Sequence, residues 1–314
     1  MTNVLNPCDE VDRVPGIYLR SKFAFSPLED VVEKEVYLKV APWLDNNFVY
    51  INCSWRGLTE VPRNLPTNVE ALNLGFNEIR RVGASDFLSY PNITWLIFNA
   101  NCLPVLFETA ILPPCNSDLH IEPGALQHLA HLKFLGLADN NLREFPRQLP
   151  TSIKGLDISF TLLGDVTAQL RLLSGLSILI SAGNCDHYRN VCPKNFTLTQ
   201  ALSSSLQILD LNSNDWKMIP GYLLGNQLKI FTLSLNPYRR LRKNDFVNAT
   251  SLEVLVLNII ACTTRKALII EDGVFDPLPH LKYLNLSLNA VQFYRAEYLK
   301  TTKILKSWIF LVIV

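Results

Sequence analysis

Seven cysteines, five histidines and one dense run of cations are the residues of this 314-residue chain whose types and spacing suit chemistry. Cys102 and Cys115 bracket the segment CLPVLFETAILPPC, and Cys185 and Cys192 bracket CDHYRNVC. A disulfide closing either short loop would stabilise it by roughly 3 kcal/mol or less through lost chain entropy. Cys8 and Cys53 flank the stretch ahead of the first repeat, where a bridge would cap an open end. Cys262 has no evident partner. The competing reading is buried free thiols, since cysteine is among the most buried residue types. Placement in loops favours the bridges Cys8–Cys53, Cys102–Cys115 and Cys185–Cys192. Five N-x-S/T sequons, at Asn52, Asn92, Asn195, Asn248 and Asn285, point with them to an oxidising, secretory compartment.

Catalytic chemistry finds no support. His128 and His131 have a spacing that faces one way on a helix, yet no cysteine or carboxylate nearby completes a zinc set. Cys185 lies close to His187, but Cys192 is the better partner for that thiol. No nucleophile elbow, phosphate loop or dinucleotide fingerprint occurs. The expectation is a binding protein, not an enzyme, with no cofactor and no metal. A hydrophobic share of 48% against 18% charged residues excludes a disordered chain. A formal charge of +1 excludes a globally basic polyanion binder. The five histidines would raise that charge to as much as +6 if all were protonated in mild acid.

The elements that must position these residues follow from an internal repeat. The template L-x-x-L-x-L-x-x-N-x-L recurs nine times, starting at Val69, Ile93, Leu132, Ile153, Leu176, Leu206, Leu228, Leu252 and Leu281. Its asparagine is present in seven copies; Thr161 and Ile260 replace it in the others. The L-x-L core alternates as a short strand does. One coil cannot bury its apolar side alone, so neighbours stack and their strands form a continuous parallel sheet. Asparagine offers both a donor and an acceptor, which suits backbone groups where each coil turns inward. Phe87, Phe246 and Phe275 stand where a residue closes the coil from its convex side. The expected fold is α/β: a curved leucine-rich-repeat solenoid with short parallel strands on the concave face and a disulfide-bonded N-terminal cap. Successive starts are 24, 39, 21, 23, 30, 22, 24 and 29 residues apart, and the three long steps are those with internal cysteines. The expected organisation is an extension and cap at 1–66, about nine repeats at 67–298, and an apolar tail at 299–314. That tail ends in SWIFLVIV, too short to cross a bilayer. It reads as a final strand, a truncated span or an altered gene boundary. Residues 1–20 lack an apolar core of signal-peptide length.

Strand register shows what points outward. Lys133, Lys154, Lys229 and Lys282 stand against Glu70, Asp139, Asp157, Asp210 and Glu253, which makes no electropositive stripe. Phe76, Trp95, Phe134, Phe160 and Tyr283 are aromatic candidates for stacking on a base or packing on a protein, or for covering gaps between coils. Arg239, Arg240, Arg242 and Lys243 form the one basic cluster, which reads as a ligand contact or a solvated edge; Arg80 and Arg81 make a smaller set.

Several phrases resemble Toll-like receptors. Asn52-Cys53-Ser-Trp55 through Val61-Pro62 is similar to the N-terminal cap and first coil of that family. Asn101-Cys102-Leu-Pro104, Pro114-Cys115 and Ile121-Glu122-Pro123 resemble the second coil of the endosomal nucleic-acid-sensing subgroup. Gly183-Asn184-Cys185 through Tyr188 to Cys192 resembles a later coil. The resemblance covers roughly residues 49–298. It implies the ectodomain of a single-pass pattern-recognition receptor, facing the extracellular space or the endosomal lumen. It further implies a microbial ligand, nucleic acid among the classes, and a homo- or heterodimer partner. Signalling would run through a TIR domain, and membrane attachment through a segment missing from this chain. Trp55 matches the cap tryptophan used by DNA-sensing relatives, whereas their second tryptophan is Ala100 here. Residues 9–48 exceed the usual cap length and include an acidic LEDVVEKE stretch. The alternatives are an extracellular adhesion protein built of the same repeats and a cytosolic repeat scaffold with reduced cysteines.

Overall fold

In the computed structural model, the described residues are 8–15, 43, 46–101, 119–142, 144–161, 163–185, 198–258, 268–287 and 289. The repeat builds one eleven-stranded sheet. It runs through β1 (Asp9–Pro15), β2 (Asn47–Asn52), β3 (Ala71–Asn73), β5 (Trp95–Ile97), β7 (Phe134–Gly136), β8 (Gly155–Asp157) and β9 (Ile178–Ile180). It continues through β10 (Ile208–Asp210), β11 (Ile230–Thr232), β13 (Val254–Val256) and β15 (Tyr283–Asn285). The hairpin-like pair β1–β2 is antiparallel, and each later pair is parallel. Two short sheets stand apart: β4 (Arg81–Val82) on β6 (His120–Ile121), and β12 (Arg240–Leu241) on β14 (Ile269–Ile270). Helix is scarce, with one four-residue α-helix, α1 (Thr167–Leu170), among the described residues. No helix among them is long and apolar enough to cross a membrane.

Alternation along each strand sends its middle residue to one side of the sheet and its flanking residues to the other. The middle residues form a row in register: Leu72, Leu96, Leu135, Leu156, Leu179, Leu209, Phe231, Leu255 and Leu284. All are buried inside the solenoid, where Phe87, Phe246 and Phe275 close the coils from the opposite wall. The apolar flanking residues form a second, separate cluster on the concave side.

The repeat asparagines tie successive coils together. Asn101 Nδ2 donates to the carbonyl of Leu74 in the preceding coil (2.8 Å) and of Phe98 in its own (2.8 Å). Its Oδ1 accepts from Ile79 N at 3.0 Å. Asn77, Asn140, Asn214 and Asn236 donate in the same two directions. Thr161 shows what the break in the pattern costs. Its hydroxyl carries one hydrogen, which reaches Ile158 O within the coil (2.8 Å) or Asn184 Oδ1 (3.2 Å) but bridges to no earlier carbonyl. Ile260, the other break, lies outside the described residues. Its coil keeps Leu257 O engaged through Tyr238 Oη at 2.9 Å and Asn289 Nδ2 at 2.9 Å.

At the open end, β1 covers the edge of β2, and Cys8–Cys53 joins the two with Cα atoms 4.3 Å apart. Cys185 is disulfide-bonded as well. Cys102, Cys115, Cys192 and Cys262 lie outside the described residues, as does the apolar tail.

Each buried backbone group left without a partner costs about 1–3 kcal/mol. Asn101→Ala, which orphans the Ile79 amide and leaves the Leu74 and Phe98 carbonyls with one donor each, from Asn77 and Asn140, is therefore expected to lower unfolding free energy by about 1–3 kcal/mol in a denaturant titration. Asn101→Thr should lose less, because threonine keeps the bond within the coil.

Candidate functional site

The turn that ends each strand creates a second ladder, on the edge of the concave face. The residue at the turn after each strand, just before the repeat asparagine or its replacement Thr161, is left-handed in coil after coil: Phe76, Ala100, Asp139, Phe160, Ser213 and Leu235 have φ between 53° and 58°, Gly183 has 64°, and Trp55 after the cap strand has 61°. That conformation costs a non-glycine residue about 1–2 kcal/mol. It is held because each N–H donates to a carbonyl of the next coil, as Phe76 does to Asn99 (2.8 Å) and Phe160 to Ala182 (2.8 Å). Glycine would be the unstrained choice, and Gly183 is its one instance here. Bulky aromatic residues at such positions are outliers that need a reason.

Trp55 and Phe76 supply one. Their rings stack with centroids 4.4 Å apart and planes 9° from parallel. Trp55 remains 58% exposed, more than any other aromatic among the described residues, while Phe76 is half-buried beneath it. The pair is a rigid, open π-face at the cap end. Phe160 is also on this edge, half-buried, four coils further along.

Trp95 and Phe134, two of the three remaining aromatic candidates, take a different place. They belong to the concave floor and are buried, at 1% and 3% exposure. Register put them on the correct side of the sheet, but not that they would be covered. Their rings stack at 4.7 Å, and Phe48 and Trp43 pack on Trp95 at 6.1 and 5.9 Å. Beyond them Ile178, Ile208, Ile230 and Val254 continue an apolar floor. Tyr283 is partly buried at its far end.

The charges on this face are largely used by the fold itself. Asp157 and Asp210 are buried and turn back to accept from the backbone N–H two residues on, at 3.0 and 2.9 Å. Asn52, Asn73 and Asn285 cap the same turn in other coils. Glu253 bridges Lys229 (3.5 Å) and Lys282. Burial would push its carboxyl up, but Lys282 and then Lys229 hold it below the usual value. Glu70 accepts from Val49 N at 2.8 Å.

The basic cluster lies elsewhere again. Arg240 pairs with Glu271 (3.2 Å), whose second oxygen accepts from Lys243 N (3.1 Å), and Arg242 N donates to Asp245 (2.7 Å). Arg239, Arg242 and Lys243 present exposed side chains beside this clamp. The same device recurs in the first coil: Arg81 pairs with Glu122, Ala84 N donates to Glu122, and Gly83 N caps on Asp86. Sequence showed the two arginine pairs but not the acidic partner that the next coil returns to each. The structure does not bring the 239–243 run together with Trp55; six coils separate them. Among the described residues no group of His, Cys, Asp and Glu could hold a metal ion. Of the sequons, Asn92 and Asn248 are exposed, Asn52 and Asn285 are engaged in turns, and Asn195 lies outside the described residues.

Fold and edge together define the class: a leucine-rich-repeat solenoid closed at its N-terminal end by a disulfide-bonded cap. No protein-family model matches the chain. Individual relatives do, and they are Toll-like receptors. The chain is similar to Toll-like receptor 7 of Mus musculus, at 30% identity over 67% of this chain and 20% of the receptor. It is 28% identical to Toll-like receptor 8 of Homo sapiens over 83% of the chain and 26% of the receptor. It is 34% identical to Toll-like receptor 9 of Bos taurus over 54% of the chain and 16% of the receptor. The resemblance read from the cap and the cysteine-bracketed coils is thus borne out. The chain spans about a fifth of the length of these relatives.

One edge residue titrates near neutrality. Burial, and then the Asp157 carboxylate, push the Asp139 carboxyl from 3.8 up to about 7. The folded state therefore holds a proton that the unfolded state has released between those two values. Stability falls as pH rises through that window, by up to about 4 kcal/mol for a shift of this size. Asp139→Asn, which keeps a residue tolerant of left-handed backbone, should remove this loss. Melting temperatures of the two proteins are expected to converge near pH 4 and to separate in favour of the variant near pH 8.

Proposed function

We propose that this chain is the N-terminal ligand-binding part of a Toll-like innate-immune pattern-recognition receptor. Its ligand is microbial, and nucleic acid is the class that the edge suits best. The observation that carries this reading is the Trp55–Phe76 stack, an exposed and pre-ordered aromatic face held at a strained backbone position. A stacked ring is a sequence-tolerant platform for a base, worth about 1–3 kcal/mol per base. Arg239, Arg242 and Lys243 add a second, electrostatic contact further along the arc. Phe160 lies between the two along the chain of coils, on the edge that carries Trp55, and the buried Trp95 and Phe134 belong to the floor.

In the whole receptor this part faces the extracellular space or the endosomal lumen, and ligand joins it to a second receptor chain. Signalling would pass through a TIR domain, and the membrane would be reached through a segment beyond this chain. No residue acts as a catalyst in this scheme. An adhesion protein of the same repeat class would use protein contacts instead, and oligonucleotide binding separates the two.

Fluorescence anisotropy with a labelled single-stranded oligonucleotide, at acidic and neutral pH and at several salt concentrations, is the direct measurement. Trp55→Ala is expected to weaken binding at least about tenfold with little change in salt slope, as the loss of one stacked base requires. Replacing Arg239, Arg240, Arg242 and Lys243 together should weaken binding and flatten the slope, because fewer counterions are released. Absence of binding at both pH values would remove nucleic acid as the ligand.

The secretory reading has its own check. Peptide mapping of the secreted protein, with and without reductant and glycosidase, is expected to show Cys102–Cys115 and Cys185–Cys192 linked. Glycans are expected at Asn92 and Asn248, the exposed sequons. Reduced thiols at those cysteines would contradict it.

A further inference from the structure

The residue just ahead of each floor strand belongs to the rim of the concave face opposite the turns that carry Trp55 and Phe76. From Lys133 through Lys154, Ser177, Gln207 and Lys229 to Glu253, each backbone N–H donates to the carbonyl of the one before, at 2.8–2.9 Å. The row is therefore continuous, with one rim residue for every coil.

Its charge is compensated in one part only. Lys229 and Lys282 both reach Glu253. Lys133 and Lys154, half-buried neighbours, make no ion pair among the described residues. The acids that share this face serve the backbone: Glu70 accepts from Val49 N, and Asp157 and Asp210 close their own turns. Two ammonium groups thus rise from adjacent parallel strands, about 4.8 Å apart at the backbone, without a countercharge. Like charges so placed destabilise a sheet.

The fold also clears space for one of them. Gly175 has no positive φ, so backbone freedom does not explain it. A Cβ there would collide with Lys154 Nζ and lie 3.6 Å from its Cε. Lys154 extends over Gly175 towards the following coil, on the side away from Lys133, as repulsion between the two favours.

We propose that Lys133 and Lys154 form a phosphate-binding subsite whose occupant is a phosphodiester group of the ligand. The anion supplies the countercharge that the fold directs elsewhere. The identity of the phosphate carrier rests on the reading of this chain as part of a nucleic-acid receptor; the phosphate chemistry of the pair does not.

Inorganic tripolyphosphate probes the pair in the unaltered protein. Acetylation footprinting at low salt, resolved by peptide mapping, is expected to show Lys133 and Lys154 protected at least about threefold by the anion, and Lys229 far less because Glu253 already holds it. Unchanged rates at both lysines, or equal protection of Lys229, overturn the proposal. A labelled single-stranded oligonucleotide tests the carrier. Lys133→Gln combined with Lys154→Gln should weaken its binding and reduce the salt slope by about 1.4, the value for two contacts on a single strand. Oligonucleotide binding with an unaltered slope overturns the phosphodiester assignment and leaves the nucleic-acid reading intact. Protection by tripolyphosphate without any oligonucleotide binding removes that reading and the phosphodiester with it. Without ligand at low salt, the melting temperature of the double variant should stay level or rise, since a like-charge contact is lost. A clear fall would assign both lysines to the fold and overturn the proposal.

Discussion

The carbonyl groups at the end of each strand are buried between coils, out of reach of water, and every other feature follows from how they are satisfied. The repeat asparagine donates to its own coil and to the one before, while its oxygen takes a backbone N–H. A side chain can do this only if the chain turns sharply just ahead of it. That turn forces the preceding residue into left-handed backbone, and the same residue's N–H then bonds to the following coil. The ladder inside the solenoid and the ladder on its edge are two views of one constraint.

From that constraint come two surfaces of opposite character. On the edge, left-handed residues project where nothing from the same coil covers them, so Trp55 stays open above Phe76. On the floor, the alternation of a strand points its flanking residues at the hollow of the arc, where the first residue of each strand is apolar or aromatic except at Gly155, and the third is polar in five coils. The few acids on the floor cap their own turns or sit between lysines. A net charge of +1 therefore conceals internal compensation more than an even surface. The lateral sheets do likewise: Glu122 and Glu271 return from the next coil to meet Arg81 and Arg240.

Much of the fold was legible because the repeat is a local pattern with a single packing solution. Leucines two apart, an asparagine three further on and a recurrence near 24 residues admit one architecture, and the buried row from Leu72 to Leu284 is the result. The Cys8–Cys53 bridge was legible from its place at the open end. The site was legible in part. Trp55 and Phe76 were named separately, but nothing in their spacing of 21 residues says that their rings lie 4.4 Å apart. Trp43 was not singled out, since a lone tryptophan in a long stretch outside the repeat carries no periodic signal.

Sequence alone determined the class of fold, the stacking direction, the side of the sheet to which each strand residue points and the resemblance to Toll-like receptors. These depend on spacing along the chain, which the sequence records directly. Only the tertiary structure decided which outward-pointing rings are open and which are covered. Trp95 and Phe134 occupy the same face as any exposed floor residue, yet a residue some fifty positions upstream of Trp95 lies against them. Exposure depends on what packs from elsewhere in the chain, and no local periodicity encodes that.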